Sequence, residues 1–192
     1  MNICVYGASS RKLDRRYLDA GEALGALLAE KGDTVIFGGG AHGLMGAVSR
    51  GAHEAGGKVI SVAPSFFNVD GVLYEHCDEY IYTETMRERK QTMENLADAF
   101  IVTPGGIGTF EEFFEILTLR QLQRHKKPIA ILNTDGYYDA MMQFLQNAID
   151  NSFMSKNNLN LFFISDNINE VVRFIEHPTT VEDDIEKLRN IL

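Results

Sequence analysis

The chain is short of cations, of cysteines, of clustered prolines and of long apolar runs, and each shortage removes a class of protein. Lys and Arg number 18 against 27 Asp and Glu, leaving a formal net charge of -9. A surface of that average sign repels phosphate backbones and anionic lipid before any local patch can act. No nucleic acid polymer and no membrane is therefore expected as a partner, while a small anionic ligand in a locally positive site stays open. The two cysteines, Cys4 and Cys77, stand far apart and read as reduced thiols. No apolar run reaches the roughly 20 residues that span a bilayer. Met1 to Ala8 is apolar but has neither a basic n-region nor a small-residue cleavage site, so no secretory signal is expected and the location reads as cytoplasmic. The histidines His42, His53, His76, His125 and His177 share no ligand spacing with one another or with the cysteines, and no metal is expected. There is no G-x-S-x-G elbow, and the pair Gly57-Lys58 lacks a P-loop around it. No repeat or low-complexity tract appears, and the prolines mark no linker.

What is present is an alternation. Short apolar or β-branched runs recur at Ile3 to Tyr6, Thr34 to Phe37, Lys58 to Ala63, Glu79 to Tyr82, Ala99 to Thr103, Ile129 to Leu132 and Leu161 to Ile164. Most are apolar at both alternating positions, as strands covered on both faces require. Between them lie stretches of helical period, such as Leu18 to Lys31 with Leu24, Leu27 and Leu28. The expected class is α/β, a Rossmann-like doubly wound parallel sheet of about seven strands with helices on both faces. At 192 residues and 45% hydrophobic composition one domain is expected, a nucleotide-binding unit over 1–178. A surface helical tail follows over 179–192, where Glu182, Asp183, Asp184 and Glu186 precede Lys187 and Arg189 as a helix dipole favours.

Three glycine-rich turns follow predicted strands: Gly7 to Ser10, Gly38 to Gly43, and Pro104 to Thr109. All should lie along one sheet edge, where glycine permits close backbone approach and the next helix offers free N–H groups to an anion. The second turn satisfies G-x-G-x-x-G, but the acid that should hold a ribose hydroxyl about 20 residues on falls at Ala63-Pro64, where there is none. Tight strand-to-helix turns without a ligand remain the plain alternative.

In the third turn, Thr109 and Glu112 have the S/T-x-x-E spacing of a capping box opening a helix over Phe110 to Gln123. Phe110, Phe113, Phe114 and Leu117 form its expected buried stripe, which leaves Glu112 beside the crevice, ionised near a helix N-terminus. The preceding helix has an apolar seam of Met86, Met93 and Leu96 with Arg89 and Lys90 in its middle turn. Desolvating such ions costs several kcal/mol unless an opposite charge meets them, so either a carboxylate or a ligand phosphate must compensate. A structural salt bridge and snorkelling to water are the bland options, and arginine's planar fork favours phosphate or carboxylate. Asp98, before a strand, reads as a turn residue.

Gly38-Gly39-Gly40 with Gly43-Leu44-Met45-Gly46, then Met86-Arg87-Glu88-Arg89-Lys90, then Pro104-Gly105-Gly106-Ile107-Gly108-Thr109-Phe110-Glu111-Glu112 together resemble the LONELY GUY family, cytokinin riboside 5'-monophosphate phosphoribohydrolases. The resemblance runs from Asn2 to Asn151 and includes Asp135-Gly136-Tyr137-Tyr138. Members are often labelled lysine decarboxylases, yet no pyridoxal-phosphate signature is present. The resemblance implies hydrolysis of cytokinin nucleotides or adenosine 5'-monophosphate to free base and ribose 5-phosphate, without cofactor, by a homodimer. By position it implies Arg89 and Glu112 as the catalytic pair, and Lys90, Gly106, Ile107, Gly108, Thr109, Phe110, Glu111 and Thr118 as further contacts with the purine nucleoside 5'-monophosphate. Arg87 departs from the common M-H-x-R-K, and Pro64 to Glu75 does not match the plant pattern, leaving one family carboxylate contact unassigned.

Departure of the base builds positive charge on the ribose, which a carboxylate stabilises. Gly106, Gly108 and Thr109 are expected to hold the 5'-phosphate, with Glu112 facing the ribose and orienting water, and Arg89 pairing with Glu112 or the phosphate. The competing reading is a non-enzymatic nucleotide sensor or carrier of the same fold, which needs the glycine turns and a cation but has no use for a carboxylate beside an anionic ligand. A purely structural scaffold explains neither.

Overall fold

Alternate residues of a strand face opposite sides, and here both sides are apolar. Ile3 and Val5, Val35 and Phe37, Ala99 and Ile101, and Ala130 and Leu132 enter one core, while Cys4 and Tyr6, Ile36, Phe100 and Val102, and Ile129 and Ile131 enter a second. In the computed structural model, which describes residues 1–178, these runs form one sheet. Its strands are β1 (Asn2–Tyr6), β2 (Thr34–Phe37), β3 (Lys58–Pro64), β4 (Glu79–Thr83), β5 (Ala99–Val102), β6 (Ile129–Leu132) and β7 (Phe163–Ser165). Their order is β4-β3-β2-β1-β5-β6-β7, and every pairing is parallel. The expected doubly wound α/β sheet is thus the observed one. The last strand starts at Phe163 rather than Leu161, because Leu161 closes a 3-10 segment, Lys156–Leu161.

The helices are α1 (Arg15–Glu30), α2 (Gly43–Glu54), α3 (Met86–Leu96), α4 (Ile107–Gln121), α5 (Asp139–Asp150) and α6 (Ile168–Glu176). Leu24 and Leu28 of α1, Val48 and Ala52 of α2 and Val171 and Ile175 of α6 complete the first core; Met93 of α3, Phe113 and Ile116 of α4 and Leu145 of α5 complete the second. The tail expected over 179–192 lies outside the described residues. Asp98 is a turn residue, its carboxylate accepting from the Asn2 amide at 2.7 Å. No helix among the described residues is long and apolar enough to cross a membrane.

Helices α1 and α2 pack backbone to backbone. A Cβ on Gly25 would lie 2.0 Å from the Val48 carbonyl oxygen, and one on Gly51 would lie 2.0 Å from that of Glu22. Neither carbonyl can swing aside without unwinding its own helix. Gly25→Ala is therefore expected to lower stability by about 2–3 kcal/mol through overpacking. A urea midpoint unmoved from wild type would contradict that close approach.

The chain winds from β1 outward to β4, then returns to the other side of β1 with β5. Neighbours β1 and β5 thus mark the switch point, and a crevice opens beyond their carboxyl ends.

Candidate active site

All three glycine turns meet at that crevice. They line a cleft of about 540 Å³ with Gly7 and Ala8 from the first, Gly38, Gly40 and His42 from the second, and Gly106, Gly108 and Thr109 from the third, joined by Arg89 and Glu112. The size suits a small ligand. The turns also brace one another. The Ala8 amide donates to the Pro104 carbonyl at 3.1 Å, and the Thr103 hydroxyl donates to the Tyr6 carbonyl at 2.9 Å.

Helix α4 starts one turn earlier than its sequence pattern suggests. Gly106 is the N-cap, no side chain caps it, and Thr109 is already helical and buried, so the expected Thr109–Glu112 capping box does not form. The Pro104-Gly105-Gly106 turn ends the extended chain before Thr109 can serve as a cap. The same spacing does make a capping box at the start of α3, where Thr85 and Glu88 bond reciprocally. The uncapped end of α4 leaves its first N–H groups to a ligand. A Cβ on Gly106 or Gly108 would meet nothing within 4 Å, so both glycines face open space.

The buried face of α4 is also rotated from expectation. It consists of Thr109, Glu112, Phe113, Ile116 and Leu117, while Phe114 is exposed and Phe110 only half-buried. Glu112 is 8% exposed, held inside the fold rather than merely beside the crevice. Arg89, 5% exposed, makes this tolerable: its Nη1 donates to Glu112 Oε1 at 2.9 Å and its Nε to the Val62 carbonyl at 3.2 Å. Each ion is the other's compensation, which resolves the misplaced charge on α3 in favour of a carboxylate partner. Of the expected α3 seam Met93 is buried, but Met86 is exposed at the cleft rim.

Burial is the main influence on Glu112 and pushes its pKa above the ordinary carboxylate value, against the pull of Arg89. The helix dipole does little to offset this burial, since Glu112 lies beyond the first turn of α4, and Arg89 is the charge that favours its carboxylate form.

The other expected contacts do not line this cleft. Lys90 is ion-paired with Glu111 and with Glu115, the latter at 2.9 Å. Ile107 is 87% exposed, the Phe110 ring packs against Tyr138, and the Thr118 hydroxyl donates to the Phe114 carbonyl at 2.7 Å within its own helix.

Sequence reasoning missed two groups. Tyr137 and Tyr138 hold the third turn from behind, their hydroxyls donating to the carbonyls of Gly105 at 2.6 Å and Thr103 at 2.8 Å. The Asp-Gly-Tyr-Tyr run was visible, but its target was not. The second group is the segment between β3 and β4, which brings Phe67, Val72 and Leu73 to the cleft. It is strapped across the second turn by an antiparallel bridge between Gly40 and Leu73, with the Ala41 amide donating to the Val72 carbonyl at 3.0 Å and the Tyr74 amide to the Gly39 carbonyl at 2.9 Å.

Comparison with known proteins gives this geometry a family. The family described as "Possible lysine decarboxylase" matches residues 45–175. Cytokinin riboside 5'-monophosphate phosphoribohydrolase LOG of Oryza sativa subsp. japonica is 39% identical over 174 residues, covering 91% of this chain and 72% of that protein. The corresponding LOG2 protein of Arabidopsis thaliana is 36% identical over 182 residues, covering 95% and 85%. Among solved structures, the molybdenum cofactor binding protein of Rippkaea orientalis has a TM-score of 0.67 at 22% identity, over 91% of this chain and 93% of that one. That last likeness is one of fold. The identity to the phosphoribohydrolases runs through nearly the whole chain, and the chain belongs to the LONELY GUY family of phosphoribohydrolases.

Proposed function

We propose that the protein hydrolyses the N-glycosidic bond of cytokinin riboside 5'-monophosphates or of adenosine 5'-monophosphate, releasing free base and ribose 5-phosphate. The observation that carries this reading is the buried Arg89–Glu112 pair, 2.9 Å apart, in the same cleft as the uncapped N-terminus of α4. A phosphate carrier has a use for the helix end but none for a buried carboxylate beside it. A glycosidase has a use for both.

In this reading the 5'-phosphate sits on the N–H groups at Gly106, Gly108 and Thr109, anchoring the sugar so that C1' faces Glu112. The C1'–N9 bond breaks with its electron pair leaving on the base. The carboxylate stabilises the positive charge left on the ribose and orients a water whose oxygen bonds to C1'. One water proton passes to the departing base, so atoms and charge balance without a cofactor. Arg89 acts by fixing the Glu112 carboxylate. Because phosphate binding supplies the positioning, the dephosphorylated nucleoside is a far poorer substrate.

The remaining contacts implied by the resemblance, Lys90, Ile107, Phe110, Glu111 and Thr118, act in this proposal where α4 meets a second copy of the chain. Exposed Ile107 and Phe114 give that helix apolar surface for a homodimer to cover. Sedimentation as a monomer at working concentration would remove the dimer from the proposal.

The deciding experiment is chromatographic detection of free base after incubation with adenosine 5'-monophosphate, isopentenyladenosine 5'-monophosphate and their dephosphorylated nucleosides. Base released from the monophosphates is the expected result. Nucleotide binding without release would turn the reading to a carrier.

The carboxylate form of Glu112 is the active one, and burial raises its pKa. Acidification therefore removes the active form at a higher pH than for an exposed glutamate, whose pKa is about 4.3. A carboxyl-carbon NMR titration of the free protein, with the signal assigned by its loss in Glu112→Gln, is expected to show a midpoint above that value. A midpoint at or below it would contradict the direction.

A further inference from the structure

The substrate cleft does not end at its own rim. A second cavity of about 730 Å³ adjoins it, and the two share Arg11, Ala41, His42, Gly71 and Leu73. Across this junction the wall changes character. Met45, Phe67 and Val72 line the cleft, whereas Arg50, His53 and His76 line the second cavity. Several of those groups are already engaged. Arg50 pairs with Glu22 at 3.1 Å, and the His53 and His76 rings stack with centroids 5.5 Å apart. The His42 Nε2 donates to the Gly71 carbonyl at 3.2 Å.

Arg11 is different. Among the described residues it forms no ion pair, and its guanidinium makes one contact, Nη2 to the same Gly71 carbonyl, at 3.5 Å, the outer limit of a hydrogen bond. An exposed planar fork of five donors thus stands where the two cavities adjoin, without a protein counter-ion among the described residues. Glu54 and Glu75 line the second cavity but not the cleft, so these carboxylates belong to the second cavity alone.

We propose that Arg11 forms an anion subsite at this junction, which receives a carboxylate carried on the N6 substituent of a purine nucleotide. The inference rests on the orientation proposed above, with the 5'-phosphate at the Gly106 end of the cleft. From there the base is directed along the Met45, Phe67 and Val72 wall, and a substituent on it reaches Arg11 beside the His42–Gly71 contact. An apolar substituent is accommodated by that wall; an acidic one gains a charge-assisted hydrogen bond in addition.

The test is titration calorimetry on Glu112→Gln protein, which keeps ligands intact, using adenosine 5'-monophosphate and its N6-(1,2-dicarboxyethyl) derivative. The dicarboxylate is expected to bind about tenfold tighter, the scale of one hydrogen bond to a charged group. Arg11→Ala should abolish that margin and Arg11→Glu should reverse it. Equal affinities, or a margin that survives both substitutions, would overturn the subsite. Base release by the wild-type protein reads the parent proposal separately. An Arg11-dependent margin without hydrolysis of either nucleotide sinks the enzymatic reading and leaves the subsite standing, while hydrolysis without a margin does the reverse.

Discussion

Glu112→Gln protein is expected to bind adenosine 5'-monophosphate within about threefold of wild type and to release base at about one thousandth of the wild-type rate, because the charge it lacks matters only once the ribose becomes cationic. The amide oxygen still accepts from Arg89 Nη1, which in the wild-type protein donates to Glu112 Oε1 at 2.9 Å, so the geometry of the pair survives while its charge is lost. Glu112→Ala is the poorer experiment. It leaves Arg89, 5% exposed, without its counter-ion, and removing one partner of a buried pair costs about 3–5 kcal/mol. The contrast separates the two tasks of this residue. Single-turnover base release and calorimetric affinity measure the first, and urea unfolding of both variants measures the second. Wild-type turnover in Glu112→Gln would remove Glu112 from the chemistry altogether.

Gly38→Ala is expected to keep the fold and lose about a hundredfold in turnover, the usual consequence of displacing a catalytic group by about 1 Å. A Cβ at this position would fall 1.9 Å from Arg89 Nη2 and 3.4 Å from Met45 Sδ, without striking backbone within the first contacts. What must move is the tip of a long side chain, so the sheet is undisturbed. That tip, however, is pinned from both sides by Glu112 and the Val62 carbonyl, and its displacement carries the carboxylate with it. The melting temperature and the turnover number distinguish the cases: a large drop in stability with normal specific activity in the surviving protein would mean that Gly38 serves the fold and not the site.

The sheet was almost wholly legible in the sequence because strands buried on both faces must be apolar at consecutive positions, and the shortness of these runs and the glycines that follow several of them set them apart from buried helices. Ile3 to Tyr6 and Ile129 to Leu132 show this most plainly. The meeting of three glycine turns also followed, since parallel strands send all their carboxyl ends to one edge. The start of α4 was misplaced because T-x-x-E spacing also occurs inside a helix, as at Thr109, and spacing alone does not say whether the threonine still has the extended backbone of a cap, as Thr85 does. The depth of Glu112 was misjudged for a related reason. Hydrophobic periodicity assigns a carboxylate to the outside, and only a guanidinium arriving from another helix, 23 residues away in sequence, reverses that assignment. Lys90 shows the converse. Adjacent to Arg89 in sequence, it points to Glu111 and Glu115 instead of the cleft, because neighbouring helix positions do not share a face.

The strap across the second turn is held by bonds that do not depend on its own side chains. Its anchoring bonds join peptide groups, Ala41 to Val72 and Tyr74 to Gly39, and peptide groups are the same whatever side chains they carry. Side chains between β3 and β4 can therefore be changed without breaking those bonds, whereas Arg89 and Glu112, borne on separate helices, meet only through their side chains. The lining of the cleft is thus open to alteration on one piece of the chain while the buried ion pair is set by two others.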